Sequence, residues 1–172
     1  MTRSVLDDAF GHHVWATVRL IDACLPLTPE QLATPVPGTY GSIIETMRHL
    51  VGADASYLSL LDGGRTEAIG DEQEAQMDLE SLRRVIEANG PGWASLLGAD
   101  LDPDRILVRV RDDGSTSSAP VGIRLAQVLH HGTDHRSQVC TALTNLGVEP
   151  PAIDAWDYAR KDGRLESTPP TS

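Results

Sequence analysis

The sequence predicts an all-α protein: a four-helix bundle with a short β-hairpin before its fourth helix. Long segments repeat apolar residues at three- and four-residue steps, the period of an amphipathic helix. Aromatic residues make up only 4% of the chain, so the core must rest on Leu, Ile, Val and Ala, which favours helices over packed sheets. A single stretch changes period, to β-branched residues beside a tight-turn signal.

The first helix is expected over Ser4 to Leu25, with Val5, Leu6, Phe10, Val14, Val18, Ile21 and Leu25 as its apolar stripe. Pro26 stops it. Thr28 then caps one short turn of helix with Pro29 in the first position. Pro35, Pro37 and Gly38 make Thr34 to Gly41 a loop. Ser42 and Glu45 have capping-box spacing and open a second helix that runs to about Leu61. Residues 63–77 are polar and rich in Gly and Glu, the composition of a mobile connection. A third helix spans Asp78 to Leu97, and Gly90-Pro91-Gly92 is expected to kink or split it. Ile106 to Arg111, the Asp113-Gly114 turn and Ser115 to Ala119 form the hairpin. The fourth helix follows from Val121 or Gly122 to Leu146, with Leu125, Val128, Leu129, Val139, Leu143 and Leu146 facing inward. Ala152 to Arg160 adds a short terminal helix. The chain of 172 residues therefore reads as one domain over residues 1–160, followed by a flexible tail at 161–172.

Composition excludes several functions. The formal charge is −11, from 14 basic and 25 acidic side chains, and no basic stripe offsets it, so a phosphate backbone or anionic membrane would repel the chain. Neither an apolar signal core nor an 18-residue apolar span is found, which predicts a soluble cytoplasmic protein. Cys24 and Cys140 lie inside apolar helical patterns without CxxC spacing. They are expected to be reduced, buried thiols.

The chemistry gathers in the fourth helix. In Leu129-His130-His131-Gly132-Thr133-Asp134-His135-Arg136-Ser137-Gln138, His131 and His135 are four apart and share one helix face, about 6 Å along the axis. Two imidazoles so placed can converge on one ion. An HxxxH pair alone is a weak signal, and His49 on the second helix is what strengthens it. Glu45, Gly52, Ala53 and Ser56 surround His49 with small and polar side chains that could line a polar cavity. Three histidine ligands leave an open coordination position, the arrangement of a catalytic metal site. Gly132 leaves room for a pocket or a close helix contact. Other groups read more plainly: His12 and His13 as exposed or lightly buried, Asp54 and Asp134 as surface residues or else carboxylates that orient a ligating imidazole, and Trp15, Trp93 and Trp156 as packing anchors. Gln138 is a candidate to orient a ligand, His130 could touch a substrate or subunit, and Arg136 reads as an ion-pair residue or an anion site.

With Gly41-Ser42-Ile43-Ile44-Glu45-Thr46-Met47-Arg48-His49-Leu50, the HxxxH segment, and Leu146-Gly147-Val148-Glu149-Pro150-Pro151, the chain resembles the DinB-like metalloprotein superfamily over residues 4–160. That superfamily includes bacillithiol and mycothiol transferases and mycothiol-dependent maleylpyruvate isomerases. The resemblance implies a four-helix bundle holding a divalent metal, zinc or nickel, through His49, His131 and His135. It also implies a low-molecular-weight thiol as cosubstrate, an electrophile as its partner, and a homodimer. His130, Asp134 and Ser137 stand where the family usually has asparagine, an aromatic residue and glycine. A non-catalytic metal-binding bundle and a metal-dependent hydrolase use the same ligands and stay open at this point.

Overall fold

Four long helices, α1 (Val5–Cys24), α3 (Ile43–Leu61), α5 (Leu79–Leu97) and α6 (Val121–Asn145), build the computed structural model. Residues 3–111, 113–166 and 168 are described. Shorter helices, α2 (Pro29–Ala33), α4 (Asp71–Glu74) and α7 (Ala155–Lys161), sit in the connections. Strands β1 (Ile106–Val110) and β2 (Thr116–Pro120) form the antiparallel hairpin, with Ile106 opposite Pro120 and Val110 opposite Thr116.

Local chemistry explains most of the boundaries. Ser42 and Glu45 close the expected capping box at the start of α3, the Glu45 carboxylate accepting from the Ser42 amide at 2.8 Å. Thr28 caps α2 with Pro29 in its first turn. A capping box at Ser4 and Asp7 starts α1. Gly114 adopts φ 79° in the hairpin turn, a left-handed conformation that suits glycine.

Around the bundle, α1 packs on α5 and α6, and α3 packs on the same two. Consecutive long helices α1 and α3 are therefore diagonal partners, as are α5 and α6. The connections between those partners carry α2 and the hairpin. The apolar interior has two clusters. One gathers Leu20, Ile21, Met47, Leu50, Leu82, Ile86, Val139 and Leu143. The other gathers Phe10, Leu58, Leu61, Trp93, Leu96, Val121 and Val128.

Three expectations need correction. Helix α5 runs unbroken through Gly90-Pro91-Gly92. Pro91 is exposed, so water can satisfy the carbonyl its missing N–H leaves free, and Gly92 lets α5 lie against Leu58, where a Cβ would fall 2.7 Å from Cδ2. The connection over 63–77 is not loose throughout: Ile69 packs on the core and Met77 is buried. Trp156 is 67% exposed rather than packed as an anchor, whereas Trp93 is buried.

At the C-terminal end, Arg164 lies 2.9 Å from Asp8 and stacks over the Tyr158 ring. Within the tail expected at 161–172, residues 167 and 169–172 lie outside those described.

Candidate metal centre

His49 stands two turns into α3, and His131 and His135 stand one turn apart on α6. Packing of α6 on α3 brings the three rings together. The Nε2 atoms of His131 and His49 are 3.1 Å apart, and those of His135 and His131 are also 3.1 Å apart. All three ring nitrogens lie within 4.8 Å of one another. Nitrogen bound to zinc at 2.0–2.1 Å gives neighbouring ligand separations of about 3.3 Å in a tetrahedron and about 2.9 Å in an octahedron. The observed spacing suits one shared cation.

The tautomer of one ring follows from its partner. Gln138 turns its side-chain oxygen to both the His135 Nδ1–H, at 2.9 Å, and the Tyr40 amide, at 3.2 Å. With Nδ1 protonated, His135 presents a lone pair at Nε2 toward the other two rings. This is the orienting contact that metal-binding histidines commonly carry, and it falls to Gln138, as expected. Burial, then the His135 charge, lowers the His49 pKa. Burial, then His135 and His49, pushes His131 down to about 4. Both shifts favour the neutral ring, the form that donates to a metal.

A cleft of about 910 Å³ opens beside His49 and His131. Glu45, Gly52, Ala53 and Ser56 line it, which matches the polar stripe expected around His49. Arg48, Glu74 and Arg109 also reach it. A Cβ on Gly52 would collide with the Glu74 carboxylate, so that group lies over bare α3 backbone. Burial, with Asp71 adding, raises the Glu74 carboxyl above its ordinary range against the pull of Arg48.

Two aromatic neighbours were not legible beforehand. Tyr40 stacks on His49 with ring centroids 4.3 Å apart and planes within 9°. It sits in a loop that carries no periodic signal. Tyr57 meets His131 edge-on at 5.9 Å, and its place two turns beyond His49 on one helix was the available clue.

Other candidates go elsewhere. His13, expected near the surface, is 1% exposed, and Asp54 is 2% exposed. They bind each other, His13 Nε2 to Asp54 Oδ1 at 2.9 Å. Arg136 is buried against His13 and Thr17. His12 is half-buried, with Nε2 2.8 Å from the Ile153 carbonyl. His130 and Asp134 are exposed. Cys24 is fully buried and Cys140 partly so, and both thiols are free.

Among the described residues no helix is long and apolar enough to cross a membrane. Comparison with curated proteins finds no match for this chain. The model of the DinB family matches residues 1–167, a span that takes in all four long helices and the three converging histidines. The chain belongs to the DinB family.

Proposed function

We propose that this protein is a divalent-metal-dependent transferase that uses a low-molecular-weight thiol of the mycothiol or bacillithiol type, with His49, His131 and His135 as ligands of one zinc or nickel ion. The convergence of three ring nitrogens beside an open cleft carries the reading. A structural site would be closed by a fourth side chain, whereas three protein ligands leave a position for a cosubstrate. The cleft, about 910 Å³, is within the size range of pockets that enclose small molecules. The motifs around the histidines resemble those of thiol transferases, which directs the choice of cosubstrate.

When bound, the ion supplies the Lewis acidity that ionises a coordinated thiol at neutral pH. Gln138 holds the His135 ring so that Nε2 faces inward. Tyr40, stacked on His49, fixes that ring's plane and covers one of its faces from water. Arg48, Glu74 and Arg109 present charged groups to a cosubstrate entering the cleft. Cys24 takes no part, because burial pushes its thiol up to about 12. In this reading one domain over residues 1–160 carries the activity, in a cytoplasmic homodimer.

The test has two stages. Metal is quantified in protein purified without chelator or added metal, beside His49→Ala. The native protein should carry about one divalent ion per chain, and the variant should lose it. Metal retained unchanged by the variant removes His49 from the ligand set. Metal-loaded protein is then mixed with each thiol and monochlorobimane. Conjugate should form only with metal present. Absence of metal-dependent turnover with any bacterial thiol refutes the transferase reading and leaves a binding bundle.

A further inference from the structure

Outside the metal centre, a buried polar layer crosses the middle of the bundle. Asp54 on α3 receives three donors: the His13 ring at 2.9 Å from α1, and Asn89 Nδ2 at 2.8 Å and Trp93 Nε1 at 3.2 Å from α5. On α6, Arg136 Nη1 lies 3.0 Å from His13 Nδ1 and 3.3 Å from Thr17 Oγ1. A guanidinium only donates. His13 Nδ1 must therefore accept from Arg136, and Nε2–H donates to Asp54. The acid and the base are joined through a neutral ring, and the carboxylate lies across the diagonal between α1 and α3.

All four long helices enter this layer, which lies between the two apolar clusters and shares Trp93 with the second. On α1 it lies between Phe10 and Leu20, on α3 between Val51 and Leu58, on α5 between Ile86 and Leu96, and on α6 between Val128 and Val139. Such a layer sets register: sliding one helix by a residue, about 1.5 Å, would separate buried charges and leave donors unpaired. Apolar side chains alone tolerate such slips better.

The α6 members of the layer adjoin the candidate ligands. Gly132 follows His131 and Arg136 follows His135. A Cβ on Gly132 would lie 2.5 Å from two atoms of the His13 ring and 2.9 Å from Arg136 Nη1. Glycine is required there for α6 to approach α1. We propose that His13, Asp54 and Arg136, with Gly132, are positioning residues for the metal centre: they lock α6 against α1 and α3 at the one register that brings His131 and His135 to His49. Metal–ligand distances tolerate about 0.2 Å, so even a fraction of a one-residue slip breaks the site.

This inference rests on the three-histidine reading, and Co(II) titration followed by its d–d absorption tests both. The proteins compared are the native chain, Gly132→Ala, Asp54→Asn, the milder Thr17→Val, and Leu82→Ala as a control. Leu82 is fully buried in the apolar cluster away from the layer, so its truncation lowers stability without touching register. Gly132→Ala and Asp54→Asn should weaken Co(II) binding by about 10- to 100-fold, the range for groups that support metal ligands. They should also change the band pattern of whatever complex remains. Thr17→Val should weaken binding severalfold, and it decides the matter if the stronger variants do not fold. Leu82→Ala should melt earlier yet bind Co(II) with the native spectrum and affinity. Native-like binding by the layer variants, or a loss in Leu82→Ala as large as theirs, overturns the positioning role alone. A native chain that takes up no Co(II) overturns the metal reading and this inference together.

Discussion

Gln138 shows how much can depend on one side-chain oxygen, since it serves both the His135 ring and the Tyr40 amide. Gln138→Leu keeps the bulk and removes both contacts, freeing the ring to rotate. Metal affinity measured by calorimetry should fall about 10- to 100-fold, while the histidines themselves remain. Native affinity in that variant would show that the ring is oriented by packing alone. His131 yields a pH prediction. Its pKa is about 4 in the folded protein against an ordinary 6.5, through burial first and then the neighbouring imidazoles. Across that interval the unfolded chain binds a proton that the metal-free folded protein does not. The stability this ring confers is therefore fully present above about pH 6.5 and is lost as pH falls towards 4. Melting temperatures of the metal-free protein should decline over that window, and His131→Gln should flatten the decline. The HxxxH pair and His49 were legible from spacing. The burial of His13 and Asp54 was not, because each looks like an ordinary polar residue until partners from two other helices surround it.

At the scale of elements, α3 carries the most because it bears His49, Tyr57 and Asp54. Its start is secured by Ser42, which is buried and bonded reciprocally to Glu45. Ser42→Ala should cost about 1 kcal/mol, read as a lower denaturation midpoint at unchanged slope. A loss within error would mean that tertiary packing alone holds the first turn. Helix starts, the Gly114 turn and the hairpin were readable in advance because neighbouring residues decide them. The course of α5 through Pro91 was not. Whether a proline bends a helix depends on which side it faces and what packs there, and Leu58 lies against Gly92 from another helix.

For the whole molecule, a shared cation would tie α3 to α6 across 82 residues of sequence. Metal that binds only the folded chain should stabilise it by about 2.7 kcal/mol at 100 times its dissociation constant, a rise of about 5–10 °C in melting temperature for a domain of this size. The rise should vanish in His49→Ala, and an equal rise there would place the stabilising ion elsewhere. By itself the sequence determined the amphipathic helices, their caps, the hairpin and the two histidines one turn apart on α6, all consequences of contacts within a few residues. Tertiary structure alone decided that Tyr40 covers His49, that α5 continues unsplit through Pro91, and that a charged layer crosses the core beside the imidazoles. Those outcomes depend on which helix faces meet, and helix period specifies the faces while leaving their partners open.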